Sequence, residues 1–417
     1  MATLLELPDS LLGRVLNCPA LSNEDGVRVA CACTATHEAV EFRDIVVHRA
    51  GDVRDALVAA RGRCETINCA ENGRRGGYID VAELAMVGRL RPDLVARLRA
   101  VRGWWGYYGT PLPLTRACFP ALETVEVVNV VNDPSDEALS DPRIVLLNTT
   151  GTSCERFAHA RRAPKCITLG AEQTVGGITR ARDAGLRVDT VHLRNRHPWD
   201  DEMYAAAVPL ASRALYVHGK IATTCNLDAM LRGVAPTVTE LHLQLRAGLF
   251  AALETRYIGV ARPAGGIALS INSMDLEPDF QEDDAAAIKR LIAAGVVASL
   301  DWTAFYMMDA TSWSRLFTAA STTLTRVRMG PIALKDAITL LASFPPLPAL
   351  KQLILCEKFE AGASPEGVAL YRELGSRIAA NAQSLRYLYV SQVHEDALRA
   401  LASANPGVLV NGFSFNI

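Results

Sequence analysis

The chain has 417 residues, half of them apolar, with 43 basic side chains against 45 acidic ones and a net charge of −2. That is enough apolar mass for a large core. The near-neutral balance argues against a dedicated nucleic-acid binder, which carries a basic stripe, and against a polybasic membrane-surface protein. The first forty residues read as helices. Pro8 suits a first helical turn, Asp9 suits the positive end of its dipole, and Leu11, Leu12, Val15 and Leu16 share one face. Ser22 to Gly26 make a turn, an apolar helix runs from about Val27 through Cys33, and a third covers Thr36 to Phe42. Ile45–Val47 then reads as a strand and Val53–Ala60 as a helix.

From Cys64 onward one pattern returns about ten times: Leu-x-x-Leu-x-Leu or a close equivalent. Clear copies are Leu122/Val125/Val127, Val188/Val191/Leu193, Ser212/Leu215/Val217, Val238/Leu241/Leu243, Val297/Leu300/Trp302, Leu324/Val327/Met329, Leu350/Leu353/Leu355 and Leu385/Leu388/Val390. Weaker ones sit at Cys64/Ile67/Cys69 and around Ile167/Leu169 and Ile267/Leu269. In its regular stretches the motif recurs every 24 to 27 residues or so, which is a leucine-rich period. Helical patterns fall between the strand motifs: Asp200–Ser212, Asn226–Gly233, Asp283–Ala294, Thr311–Ala320, Lys335–Ser343, Pro365–Ala382 and Glu395–Ala402. The predicted fold is α/β: a leucine-rich-repeat solenoid, a horseshoe with a parallel sheet on its concave side and helices outside, behind a small helical domain over 1–44. Repeats over 45–150 are irregular and those over 151–417 more regular. The stretch Glu357–Gly367, with Gly362, Pro365 and Gly367, is predicted as an inserted loop, and Gly407–Ile417 as a capping strand.

Residues at the third, fifth and seventh places of each motif alternate away from the core onto the concave face. They are Thr190, His192 and Arg194; Ala214, Tyr216 and His218; Glu240, His242 and Gln244; Ser299, Asp301 and Thr303; Arg326, Arg328 and Gly330; Gln352, Ile354 and Cys356; Tyr387, Tyr389 and Ser391. The candidate partner-binding set is His192, Arg194, Tyr216, His218, Glu240, His242, Asp301, Arg326, Arg328 and Tyr389. His192 and His242 lie two strands apart, roughly 10 Å, too far to share a metal, and His218 falls off their line. They read either as a polar, partly pH-sensitive binding patch or as ordinary surface histidines. Trp104-Trp105-Gly106-Tyr107-Tyr108 is either a partner anchor or a plug in an irregular repeat. The acids of Asn195–Glu202 and of Gln281–Asp284 fit dipole capping of the helices that follow them.

No G-x-S-x-G, P-loop or H-E-x-x-H signature occurs, and Gly73–Gly77 lacks the Lys-Ser/Thr of a phosphate cradle. The chain is therefore read as non-catalytic, with no cofactor and no metal. The ten cysteines form no C-x-x-C and read as buried small hydrophobes in a reducing, cytoplasmic or nuclear setting. No stretch is long and apolar enough to span a bilayer, and the N-terminus carries no secretory signal.

Leu7-Pro8-Asp9-Ser10-Leu11-Leu12-Gly13-Arg14-Val15-Leu16 resembles the opening of an F-box, and Val29–Thr36 is similar to its later helix, although Ser10 and Thr36 depart from the usual residues. An F-box followed by leucine-rich repeats is the layout of the F-box/leucine-rich-repeat family. The resemblance implies a substrate-recognition subunit of a cullin–RING ubiquitin ligase. Leu7, Pro8, Leu11, Leu12, Val15 and Leu16 would face or support the adaptor subunit, and the repeats would hold a protein substrate. The other reading is a leucine-rich-repeat scaffold with no ubiquitin role, its first helices serving only to cap the solenoid.

Overall fold

The chain's structure is a computed structural model describing residues 44–47, 52–60, 63–69, 81–105, 116–131, 136–150, 154–158, 160–170, 173–194, 200–218, 227–245, 248–258, 265–273, 282–304, 323–343, 347–357, 365–391 and 395–411. The three N-terminal helices with Leu7, Pro8, Leu11, Leu12, Val15 and Leu16, the Gly73–Gly77 stretch, the helix at Thr311–Ala320, the loop Asn195–Trp199 and the side chains of the Trp104–Tyr108 cluster lie outside those residues. By contacts the chain divides into two units, Met1–Val188 and Asp189–Ile417.

In the first unit the strands are β1 (Asp44–Val47), β2 (Thr66–Cys69), β3 (Ala100–Trp105), β4 (Thr124–Val131), β5 (Ile144–Leu146), β6 (Asn148–Thr150) and β7 (Cys166–Leu169). They lie in the order β1-β2-β3-β4-β6-β7 with β5 also on β4, and their pairings are parallel. Between them come α1 (Asp52–Ala60), α2 (Val81–Leu90), α3 (Pro92–Val95), α4 (Asp136–Ser140) and α5 (Cys154–Phe157), and α6 (Val175–Asp183) follows. Among the described residues, the irregular stretch after Cys69 holds two helices and a strand. Its strand, Ala-Val-Arg-Gly-Trp-Trp, has only Val101 buried before the glycine, and its register with β4 shifts between Gly103 and Trp105.

The second unit alternates more strictly. Its strands are β8 (Val188–Arg194), β9 (Ala211–His218), β10 (Glu240–Gln244), β11 (Ile267–Ser273), β12 (Val297–Ala304), β13 (Arg326–Ile332), β14 (Gln352–Glu357), β15 (Tyr387–Val390) and β16 (Leu409–Asn411). Its helices are α7 (Asp201–Ala207), α8 (Leu227–Arg232), α9 (Leu249–Tyr257), α10 (Glu282–Ala293), α11 (Leu334–Ser343), α12 (Pro365–Asn381) and α13 (Glu395–Ala404). Strands neighbour one another in chain order, and their registered pairs are parallel. Successive helices α7 to α10, and α11 to α13, pack on each other as well.

The repeat motif marks the core. Val188, Val191, Leu193, Leu215, Val217, Val238, Leu241, Leu243, Leu300, Trp302, Val327, Met329, Leu353, Leu355, Leu388 and Val390 are all buried. Helix residues complete it, among them Leu227, Met230 and Leu231 of α8 and Ile288, Leu291 and Ile292 of α10. Trp302 is fully buried, with its ring 5.6 Å from that of Phe250 in α9.

Helix ends are set locally. α6 and α10 both close on a left-handed glycine, Gly185 and Gly295. There the amides of Leu186 and Val296 reach back to the carbonyls of Ala181 and Leu291, and the apolar residue after each glycine is buried as the chain enters the next strand. The helix expected over Asp200–Ser212 stops at Ala207, passes through a 3-10 turn at Val208–Leu210, and Ala211 already begins β9. Pro209 is the cause, since it has no N–H to continue the helical ladder. Helix Pro365–Asn381, at 17 residues, takes up much of the long step before β15. The last residues of the stretch expected as a loop, Pro365 to Gly367, are thus the first turn of this helix, where a proline fits; residues 358–364 lie outside the described residues.

Candidate functional site

The exposed side of β8 to β10 carries a column of rings. Parallel pairing puts His242 opposite Tyr216. The Tyr216 ring lies 3.7 Å from that of His242 at 9° and 4.2 Å from that of His192 at 12°, so three strands contribute one continuous stack. Its spacing is tighter than the roughly 4.8 Å between strands, because rings can lean toward face-to-face contact. His218, two residues beyond Tyr216 on the same side of β9, returns to the column. Its Nε2 lies 3.0 Å from His192 Nδ1, with the rings 5° from parallel and 5.3 Å apart. Nearly coplanar rings at that separation meet head-on, which is the geometry of one imidazole donating to the other.

This arrangement excludes a shared metal between His192 and His242, which have Tyr216 between them, in keeping with the two-strand spacing. Among the described residues no group of three or more His, Cys, Asp or Glu could hold a metal ion. Burial is the main force on the imidazoles. It lowers His192 to about 4, helped by His218, Arg194 and His242. Burial and Arg194 also lower His218. Burial lowers His242 against the opposing pull of Glu240 and Asp301. A switch near neutral pH is thereby disfavoured, and the patch is an uncharged aromatic one.

One register row continues from the column: Tyr216, His242, Ser270, Asp301, Arg328, Ile354 and Tyr389. Arg328 reaches Asp301 at 3.4 Å. Arg326 stands exposed one row earlier, in line with Ser299 and Gln352. Glu240 is bridged at 2.6 Å by Arg213, which also donates to Thr190 Oγ1 at 3.4 Å. Arg194 is exposed at the end of β8. The structure therefore brings His192, Tyr216, His218 and His242 together, with Glu240 alongside, and separately pairs Asp301 with Arg328. Tyr389 shares their row but lies five strands from His242, about 24 Å.

Four positions expected on the open face are buried: Thr190, Ala214, Gln244 and Gly330. Thr190 lies under the Arg213 guanidinium, and Ala214 and Gly330 are too short to rise past their neighbours. Ser270 and Asn272 were not legible as face residues, because the motif around Ile267/Leu269 is weak. The β11–β12 register shift between Ile267 and Ala268 further blurs the count there. Arg213 was missed because alternation assigns it to the core side, whereas its long stem carries the charge round to Glu240.

A wider hollow, about 770 Å³, opens in the first unit among Glu65, Arg97, Arg99, Arg116, Glu123 and Arg143. Two of its arginines are engaged, Arg99 by Glu123 and Arg143 by Asp141, each at 2.7 Å. Cys64 and Cys154 are buried, and burial pushes both thiols up to about 12, which suits inert core residues rather than nucleophiles. Among the described residues no helix is long and apolar enough to cross a membrane. The chain matches no family model and no curated protein.

Proposed function

We propose that this chain is a leucine-rich-repeat recognition protein, a solenoid that acts inside the cell as the substrate-recognition subunit of a cullin–RING ubiquitin ligase. It supplies no catalytic residue; its part is to hold a target near chemistry performed elsewhere. The observation that carries the recognition reading is the in-register row from Tyr216 to Tyr389, on strands that neighbour one another in chain order. A face of that kind presents one side chain per repeat to an extended partner, which is how repeat arrays bind. Helices packed in the same succession support a single layer of repeats. The ligase half of the reading rests on the F-box-like residues Leu7, Pro8, Leu11, Leu12, Val15 and Leu16.

The test is binding of the full chain to the ligase adaptor, with Leu11→Asp/Leu12→Asp as control. Adaptor capture by the wild type, lost in a double variant whose circular dichroism and melting are unchanged, is the expected result. No capture at micromolar concentration would leave a scaffold without a ubiquitin role. Unfolding of the variant would mark the first helices as a cap.

A further inference from the structure

The last strands carry charge that the protein leaves unanswered. Lys351 and Arg386 stand one residue before β14 and β15, and both are exposed. Backbone bonds fix them side by side: the Arg386 amide donates to the Lys351 carbonyl at 2.8 Å, and the Tyr387 amide donates to the same oxygen at 3.0 Å. The same pair of bonds joins Arg99 and Glu123 at the mouths of β3 and β4, and there the guanidinium meets a carboxylate at 2.7 Å. At Lys351 and Arg386 both residues are cations, and like charges opposed across neighbouring strands repel. Arg326 adds a further cation. It is exposed at the start of β13, and its register partner is Gln352, the residue after Lys351. Among the described residues no ion pair neutralises Arg326, Lys351 or Arg386. With strands about 4.8 Å apart, their backbones lie within roughly 10 Å of one another.

Beside these cations the face turns apolar. Ile354 pairs in register with Tyr389, and Tyr387 with Leu409, so two tyrosines of β15 lie between an isoleucine on β14 and a leucine on β16. Leu409 is 65% exposed, and Ile354, Tyr387 and Tyr389 are half-buried. An apolar strip with a charged rim marks a protein-binding surface, and tyrosine and arginine are side chains that such surfaces favour. The other face positions here, Gln352 and Asn411, are uncharged, and Asp301 on β12 is already taken by Arg328 at 3.4 Å. The chain as a whole carries −2, so the positive corner is local. A basic partner is repelled there, and an uncharged one leaves the cations unmatched. A nucleic acid takes a longer basic track than this corner offers.

We propose that β13 to β16 dock an acidic segment of the recognised protein, its carboxylates on Arg326, Lys351 and Arg386 and an aliphatic or aromatic side chain against Tyr387, Tyr389 and Leu409. The proposal rests on this face being the recognition surface but not on the adaptor, so the two fail separately. Fluorescence anisotropy of labelled peptides with the full chain tests it. The probes are Glu-Asp-Glu-Leu-Asp-Phe-Glu-Asp-Glu, the same peptide with lysine for every acid, and the same peptide with alanine for its leucine and phenylalanine. The first should bind saturably, at least about tenfold tighter than the lysine peptide and about fivefold tighter than the alanine one, and added salt should weaken it. Arg326→Glu/Lys351→Glu/Arg386→Glu alters exposed side chains and should reverse the preference toward the lysine peptide, with adaptor capture unaltered. If that variant does not fold, Arg326→Gln/Lys351→Gln/Arg386→Gln should still lose the preference for acid. Leu409→Asp should reduce the first peptide to the level of the alanine one. Equal binding of the acidic and lysine peptides, a preference unchanged in a folded triple variant, indifference to Leu409→Asp, or no saturable binding of any peptide would overturn the proposal. A single-stranded oligothymidylate that binds tighter than the acidic peptide, and is lost in the triple variant, would overturn the assignment to a protein partner.

Discussion

Asp284 sits in the first turn of α10 yet caps a different helix. Its carboxylate, 2% exposed, accepts from the backbone amides of Gly248 at 3.3 Å and Phe250 at 3.2 Å, at the start of α9. Gly248 has no side chain to do this, and its φ of 77° places it in the left-handed region. Asp284→Ala leaves two amides unsatisfied and should cost about 2–4 kcal/mol, whereas Asp284→Asn keeps an acceptor and should cost less. Urea midpoints of the two variants check this; equal midpoints for alanine and wild type would refute the cap. From sequence the run Gln281–Asp284 reads as capping its own helix, because a local pattern cannot reveal a partner 34 residues away in the chain. Asp200 is the contrasting case. It caps its own helix through the Met203 amide at 2.8 Å, as its place before α7 predicts. The site divides in the same way. Strand alternation puts His192, Tyr216 and His242 on one face, but the His192–His218 bond depends on ring reach, which spacing along a strand does not encode.

Elements were legible where a strong period met a clean stop. The ends of α8 and α11 fall within a residue or two of the sequence reading, and α7 ran long only because Pro209 was not given its weight. How elements pack was not legible. α12 and α13 approach so closely at Gly375 that a Cβ there would lie 2.7 Å from that of Ala404. Beside that contact the buried Asn405 side chain donates to the carbonyls of Gly375 at 3.1 Å and Leu401 at 3.0 Å, tying the two helices together. Gly375→Val should therefore push the helices apart and cost about 1–3 kcal/mol of overpacking, with no helix-propensity gain large enough to offset it. A thermal melt of the variant measures this. An unchanged midpoint would mean that the α12–α13 seam is looser than the packing around Asn405 implies.

At the scale of the molecule, strands and helices touch their neighbours in the chain, so order along the sequence becomes order in space. This is why the second unit could be read from a short motif. The first resisted where Gly103 interrupts β3 and where β5 and β6 are three residues each, too short to carry a period. Nearest-neighbour wiring also has an energetic consequence. In the solenoid proposed for this chain, stability would be a sum of repeat and interface contributions, and damage would stay near where it is made. Leu401 of α13 is fully buried, and Leu401→Ala should cost about 2–5 kcal/mol at that position. Hydrogen exchange on the variant should show protection lost in α12, α13, β15 and β16, while the amides of β10 to β12 exchange as in the wild type. Uniform loss across the second unit would instead mean a single cooperative core, and the solenoid reading would have to be given up. Local loss would support it and would allow the ring column on β8 to β10 to be altered without disturbing the C-terminal repeats.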